Sequence, residues 1–415
     1  MLIKKIAFFC TAFGSLLCSV AVVHAFDQSA VTSIKERQGQ NYAPIGGRFG
    51  SFILNPSIEL QQHYDDNVFR DSEDQSSDFI TVVQPDFGVR SDWKRHQIRA
   101  GVSASIGRFY DNKSEDYNDY SYYVSGRYDI SHGTSATLGI RQDRLHVDRS
   151  DVDDVNGDEP IEYDVTSASL GFTRALGIVK LYLTANTAEL KHKNSVRAGV
   201  RVDNSIRDRR QSQLTGRVSY AVNDSYNLYT QVQYNRRRYD LSGTSFRDSD
   251  GYDYRLGGSV NLTNKMQADI YLGYLNQKYT SGFDDIKGLN FGGNILWNAN
   301  EITSLRAQLD RQVVETVQVG GSGILRTQGQ IAVERALKDD VIIDGYIGAA
   351  NDKYEGGLTS SLNDNITYRT GFGLEYKLNR NVSADMGYDF RRRNFKNTDG
   401  NYSNHEVMLA VRYGY

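Results

Sequence analysis

Alternation with a period of two residues runs through this 415-residue chain from about position 50 to its last residue. Residues two apart share one face of a strand, so such a pattern asks for strands with one apolar and one polar face. At the C-terminus Val407, Leu409, Val411, Tyr413 and Tyr415 alternate with Glu406, Met408, Ala410, Arg412 and Gly414. Ile366, Tyr368, Thr370, Phe372, Leu374 and Tyr376 alternate with Thr367, Arg369, Gly371, Gly373 and Glu375 in the same way. An amphipathic helix would need a 3.6-residue period, which appears over no useful length.

Counting these runs predicts an all-β chain, a transmembrane antiparallel up-and-down β-barrel of about 18 strands, within a range of roughly 16 to 18. Strands are predicted to start near Phe49, Phe79, Ile98, Tyr120, Ser135, Val165, Val179, Gln211 and Tyr226, then Tyr252, Met266, Leu289, Thr303, Ile324, Val341, Ile366, Val382 and Glu406. Their connections alternate in length. Short polar turns stand at Ser131-His132-Gly133, Ala175-Leu176-Gly177, Asn223-Asp224-Ser225, Asn264-Lys265, Asn298-Ala299-Asn300, Lys338-Asp339-Asp340 and Asn379-Arg380-Asn381. Longer charged loops lie around 65–78, 148–160, 192–210, 240–251 and 351–364. Short turns on one side and long loops on the other are the asymmetry of an outer-membrane barrel. A soluble β-sandwich also alternates, but would divide into domains at this strand count. The mean hydropathy of −0.54 fits either, because a barrel averages a wet lumen with a lipid-facing wall.

Lys4 and Lys5, the apolar run Ile6 to Val23 and the Val23-His24-Ala25 site read as a signal peptide over residues 1–25, with a retained anchor as the alternative. Both cysteines, Cys10 and Cys18, lie in it, so the mature chain would carry no disulfide, thiolate metal site or cysteine nucleophile. Residues 26–47 form a polar leader, either a short periplasmic helix or plug or a disordered tail, and 48–415 the barrel. With 48 Lys+Arg against 51 Asp+Glu, the chain lacks the basic excess of a nucleic-acid binder. Its 28 tyrosines suit the two aromatic girdles of a barrel. Tyr110, Tyr117, Tyr120, Tyr122, Tyr239, Tyr252, Tyr254, Tyr279 and Tyr354 sit beside the long loops, and Trp93, Trp297, Tyr376, Tyr413 and Tyr415 beside the short turns. Val407, Leu409, Val411, Tyr413 and Tyr415 are the expected C-terminal signal for the barrel-assembly machinery.

Parity sends charges of both signs inward, among them Asp253, Arg255, Asp344, Arg369, Asp389 and Glu406. A wall this polar fits a water-filled or polymer-carrying conduit, or a closed barrel whose inner ions pair with one another. Arg236-Arg237-Arg238 and Arg391-Arg392-Arg393 fall at loop-side strand ends. Arg236, Arg238 and Arg392 would face outward toward lipopolysaccharide phosphates; Arg237, Arg391 and Arg393 would face the pore mouth, to meet an anionic sugar polymer or to stand as solvated charges. Tyr123, Tyr182, Tyr229, Tyr271 and Tyr346 face inward as lumen aromatics, suited to sliding sugars or to filling a closed lumen.

Catalytic chemistry is not legible. Six histidines follow the signal peptide (His63, His96, His132, His146, His192 and His405), none in a serine-hydrolase motif and none paired at metal spacing, so the expectation is no enzyme, no metal and no cofactor. Asp151, Asp153, Asp154, Asn156, Asp158 and Glu159 form an acidic loop, but Val155 and the displaced Gly157 break the calcium-loop spacing.

The stretches Asn55-Pro56-Ser57-Ile58-Glu59-Leu60, His63-Tyr64-Asp65-Asp66-Asn67-Val68-Phe69-Arg70, Ser77-Asp78-Phe79-Ile80, Gln84-Pro85 and Arg95-His96 resemble the opening of the putative β-barrel porin 2 family. That resemblance implies a barrel serving exopolysaccharide export, with a periplasmic polysaccharide-export protein as partner and no catalytic residues. The expected function is therefore export of a surface exo- or capsular polysaccharide. A general or oligosaccharide diffusion porin is the alternative, and a closed structural or adhesin barrel a third. A monomer in outer-membrane lipid and lipopolysaccharide is expected.

Overall fold

The computed structural model describes residues 31–152, 154, 157–262, 265–280, 282–316, 321–355, 364–396 and 400–415. The expected signal peptide, the first residues of the leader, Asn264 of one turn, and Asp153 and Asn156 of the acidic loop lie outside them. Among the described residues eighteen long strands follow an α-helix, α1 (Ile34–Asn41). They are β1 (Phe52–Asp65), β2 (Asp78–Ser91), β3 (Gln97–Phe109), β4 (Tyr117–Ser131), β5 (Thr134–His146), β6 (Glu162–Leu176), β7 (Val179–His192), β8 (Arg209–Ala221) and β9 (Tyr226–Tyr239). The second half comprises β10 (Ser249–Leu262), β11 (Met266–Tyr279), β12 (Ile286–Asn300), β13 (Thr303–Val314), β14 (Gly323–Lys338), β15 (Val341–Glu355), β16 (Asn365–Lys377), β17 (Val382–Phe395) and β18 (Tyr402–Gly414). Each strand pairs antiparallel with the next, and β1 closes the ring on β18 from Ser57↔Gly414 to Asp65↔Glu406. Closure removes the unpaired edges that an open sheet would present.

The predicted starts at Val179, Tyr226, Met266, Thr303, Val341 and Val382 coincide with the observed ones, and all six follow short turns. Starts after long loops come earlier than predicted, as with Arg209 for Gln211 and Tyr402 for Glu406, because strands continue beyond the apolar alternation into the loops. The first start moves the other way. Phe49 belongs to a short strand, Gly47–Phe49, that folds back on β1 through Gly50, whose φ of +57° lies in the left-handed region.

The faces are inverted relative to a soluble fold. Leu60, Leu138, Leu256, Ile347, Leu409 and Val411 point outward and are more than half exposed, whereas Asp65, Ser121, Asp143, Gln211, Asp253 and Glu375 are buried. A soluble sandwich would bury the first set, so this apolar belt needs lipid around it. Among the described residues no helix is long and apolar enough to cross a membrane, and the strands supply the crossing.

Candidate functional site

The barrel encloses a chamber of about 1460 Å³ that is lined from Lys35 of α1 at the turn end to Arg149 and Pro160 at the loop end. Its wall is ionic and largely self-paired. Arg141 meets Asp143 at 2.8 Å and Arg255 meets Asp253 at 2.5 Å on the chamber wall, and outside its lining Arg217 meets Asp269 at 2.9 Å and Arg326 meets Asp352 at 2.5 Å. Alternation turned these groups inward, and pairing offsets the cost of holding charge in a confined space.

The turn end is occupied by α1. Ser33 and Glu36 form a reciprocal capping box that starts the helix, and Val31 and Ile34 are buried. The backbone N–H of Ile34 donates to Ser304 Oγ at 2.8 Å, and that of Lys35 to Glu334 Oε2 at 3.0 Å. Asn298 donates to the Thr32 carbonyl at 3.1 Å. Lys35 Nζ lies 2.8 Å from Asp344 and 4.0 Å from Glu375. Burial alone would lower the Lys35 ammonium, but Asp344 and Glu375 outweigh it and raise it to about 12. Lys35 is a site residue the sequence reading does not single out. The Ser33-x-x-Glu36 capping pattern is the signal that marks its helix.

At the loop end, the segment between β5 and β6 reaches across the mouth to β17. Arg393 donates through Nη2 to the Ser150 carbonyl at 2.7 Å and through Nε to Thr367 at 3.1 Å. Arg391 Nη1 lies 4.0 Å from Asp148. Within the loop, Arg149 holds Glu115 at 2.6 Å and Asp154 at 3.3 Å. Enclosure by the barrel opposes the Asp148 charge, but Arg391 and Arg70 outweigh it and hold the carboxyl well below the usual carboxylate range. Asp158 accepts the backbone N–H groups of Ala198 at 2.8 Å and Gly199 at 3.1 Å, which lower its carboxyl in turn. Asp148, Asp154 and Asp158 of this loop are thus engaged by the protein itself. Among the described residues no three His, Cys, Asp or Glu side chains converge as a metal cage.

The three expected pore-mouth arginines differ. Arg237 is buried, ion-paired with Glu315 and donating to the Val313 carbonyl at 2.9 Å. It anchors the connection between β13 and β14, with the Tyr239 hydroxyl on the same carboxylate at 2.5 Å. Arg393 anchors the β5–β6 loop. Arg391 lines the chamber, as Arg237 does, but has no acid within hydrogen-bond distance among the described residues. Glu315 and Asp148 hold the opposite ends of these contacts, and no local sequence signal marks which loop acid meets which arginine. Arg236 and Arg392 are exposed on the outer face as expected, with Arg236 3.8 Å and Arg238 2.6 Å from Asp250 and Arg392 Nε donating to Asn394 at 3.1 Å.

Four of the five lumen tyrosines lie flat on a glycine of the adjacent strand. The register places Tyr123 opposite Gly101, Tyr229 opposite Gly257, Tyr271 opposite Gly292 and Tyr346 opposite Gly371. A Cβ at Gly101 would stand 2.6 Å from the Tyr123 ring, and one at Gly292 would stand 2.6 Å from the Tyr271 hydroxyl. Arg217 covers the Tyr229 ring at 3.4 Å, Arg255 covers Tyr271 at 4.2 Å, and the Tyr346 hydroxyl bonds Asp389. These rings pack the wall instead of projecting into the passage. Tyr182 stands opposite Arg217. Val407, Leu409, Val411, Tyr413 and Tyr415 all face outward, with exposures from 37% to 58% that place the C-terminal stripe on the lipid side. The turn-side girdle residues Trp93, Trp297, Tyr376, Tyr413 and Tyr415 are likewise exposed. Of the loop-side rings, Tyr110, Tyr122, Tyr252 and Tyr254 are exposed, but Tyr239, Tyr279 and Tyr354 are buried.

The chain is similar to several solved structures at low identity. The chain is similar to OpdO of Pseudomonas aeruginosa, with 12% identity, a TM-score of 0.47, and coverage of 87% of this chain and 97% of that one. It is similar to a BenF-like porin of Pseudomonas fluorescens Pf-5, with 10% identity, a TM-score of 0.48, and coverage of 89% and 100%. OpdK of Pseudomonas aeruginosa with vanillate gives 9% identity, a TM-score of 0.47, and coverage of 87% and 99%. No curated protein matches the chain. Residues 40–415, which include all eighteen strands, match the putative beta-barrel porin 2 model, and the chain belongs to that family of outer-membrane β-barrels.

Proposed function

We propose that the protein is a passive diffusion channel for small hydrophilic solutes across the outer membrane. The observation that carries this is the chamber, about 1460 Å³ with charges of both signs on its wall and narrowed at both ends by α1 and the β5–β6 loop. A wet, charged lumen favours hydrated solutes. Its inserted segments favour short ones over an extended polymer. Residues 31–42 act in this reading as a plug at the turn end.

Export of a surface polysaccharide with a periplasmic partner is the second reading. It is favoured by the position of α1, which sits where a periplasmic protein could draw it out and widen the mouth. The outward Arg236, Arg238 and Arg392 would contact lipopolysaccharide in either case, and the outward C-terminal stripe would serve the barrel-assembly machinery.

Planar-bilayer recording and liposome swelling with glucose and a graded set of oligosaccharides test the first reading. Channels that pass the small sugars support it. The absence of conductance overturns it and points to a closed, loop-presenting barrel. Deleting the gene and comparing surface with periplasmic high-molecular-weight polysaccharide tests the second reading, and unchanged secretion overturns it.

A further inference from the structure

The β16–β17 register sets Arg369 directly opposite Arg391 on the inner wall. Like charges in that position repel unless anions are supplied. Three carboxylates lie in a row just below them, since Asp65 pairs with Glu406 across β1–β18 and Glu406 with Asp389 across β18–β17. All three are committed elsewhere. Asp65 holds Arg70 at 2.7 Å, Glu406 holds His63 at 2.6 Å, and Asp389 takes Arg369 at 3.3 Å together with the Tyr346 hydroxyl.

Arg391 is left over. Its side chain is 7% exposed, yet it lines the chamber, and neither Nε nor Nη1 has a hydrogen-bond partner among the described residues. The acid paired with it, Asp148, stands 4.0 Å away with its own side chain 52% exposed. That distance exceeds a hydrogen bond, so the guanidinium carries desolvation without the bonds that normally offset it. A carboxylate offers two oxygens matched to the guanidinium fork.

We propose that Arg391 is the anion-binding residue of the lumen, taking the carboxylate of a small acidic solute such as a sugar acid, and that Asp148 is the group this solute displaces. The proposal rests on the reading of the lumen as a solute passage. Arg237 and Arg393 are excluded from the role because each is already engaged at hydrogen-bond distance, Arg237 by Glu315 and the Val313 carbonyl and Arg393 by Thr367 and the Ser150 carbonyl.

Titration calorimetry of the full-length protein in detergent, with sodium glucuronate as probe and glucose as the uncharged control, tests it. Wild type binds glucuronate in preference to glucose, Arg391→Gln weakens glucuronate by about tenfold or more, and Asp148→Asn strengthens it. Equal affinity of wild type and Arg391→Gln for glucuronate overturns the proposal, as does equal binding of glucuronate and glucose by wild type. Heat-modifiable gel migration reports whether each variant is a folded barrel. If Arg391→Gln does not fold, Asp148→Asn on the exposed loop decides, and no gain in affinity overturns the proposal. Conductance on the same samples separates the two ideas. Open channels indifferent to glucuronate sink the carboxylate site alone, whereas a barrel that binds glucuronate but passes nothing sinks the passage alone.

Discussion

The two ends of the barrel are filled by opposite means. At the turn end a helix brings a cation, Lys35, into a cage containing Asp344 and Glu375. At the loop end a connection brings an anion and a carbonyl, Asp148 and Ser150, to Arg391 and Arg393. Each inserted segment brings a group of opposite charge to one on the wall. The difference lies in tightness. Lys35 is hydrogen-bonded to Asp344 at 2.8 Å and its helix is pinned by backbone donors as well, whereas Asp148 only approaches Arg391. Ion pairs at hydrogen-bond distance hold position, and looser ones exchange with solutes. The turn end therefore reads as a seat and the loop end as a place of exchange.

Removing residues 31–42 is the strongest way to break this comparison. Single-channel conductance should rise several-fold if α1 obstructs the turn end, and conductance equal to wild type would show that it does not. Glu315→Ala should come next. It strands the buried Arg237 and is expected to destabilise the barrel by about 3 to 5 kcal/mol, read as a lower urea midpoint in detergent or lipid. Gly371→Val pushes the Tyr346 ring off the wall, with an expected cost of about 1 to 3 kcal/mol by the same measurement. An unchanged midpoint would mean that ring and glycine do not pack as a unit.

Lys35→Met keeps length but leaves the Asp344 and Glu375 carboxylates unpaired. It should loosen α1 without removing it, giving a conductance between those of wild type and the deletion. The smallest effect is expected from pH. A lysine whose folded value is raised to about 12 stabilises the seat fully below its unfolded value and loses that contribution as pH rises through the folded value. Conductance limited by α1 should thus hold steady from neutral to about pH 10, and a steep rise in that window would show that Lys35 does not hold the helix.

The legible and illegible parts of the molecule divide along the same axis. Strand starts after short turns, such as Val179, Tyr226 and Val341, are read correctly because a two-faced strand emerging from a polar turn changes composition abruptly. After long loops the change is gradual. Strands such as β18 begin at Tyr402, before the alternation becomes apolar at Val407, because their first residues pair outside the lipid. Girdle rings behave alike. Trp93, Trp297, Tyr376, Tyr413 and Tyr415 all face out at the turn end, but Tyr239, Tyr279 and Tyr354 are drawn inward at the loop end. Arg237, Arg391 and Arg393 are all buried in the structure, and alternation carries no signal that two of them are anchors.

What the sequence alone determined is the architecture and the two faces of its wall, since alternation is a local property that one residue's step reverses. What only the tertiary structure decided is which charges meet. Lys35 with Asp344, Arg237 with Glu315 and Arg391 with Asp148 are joined by chain closure, and four of the lumen tyrosines find their glycines through strand register. Such partners lie far apart in sequence or depend on the register of neighbouring strands, so no local spacing encodes them.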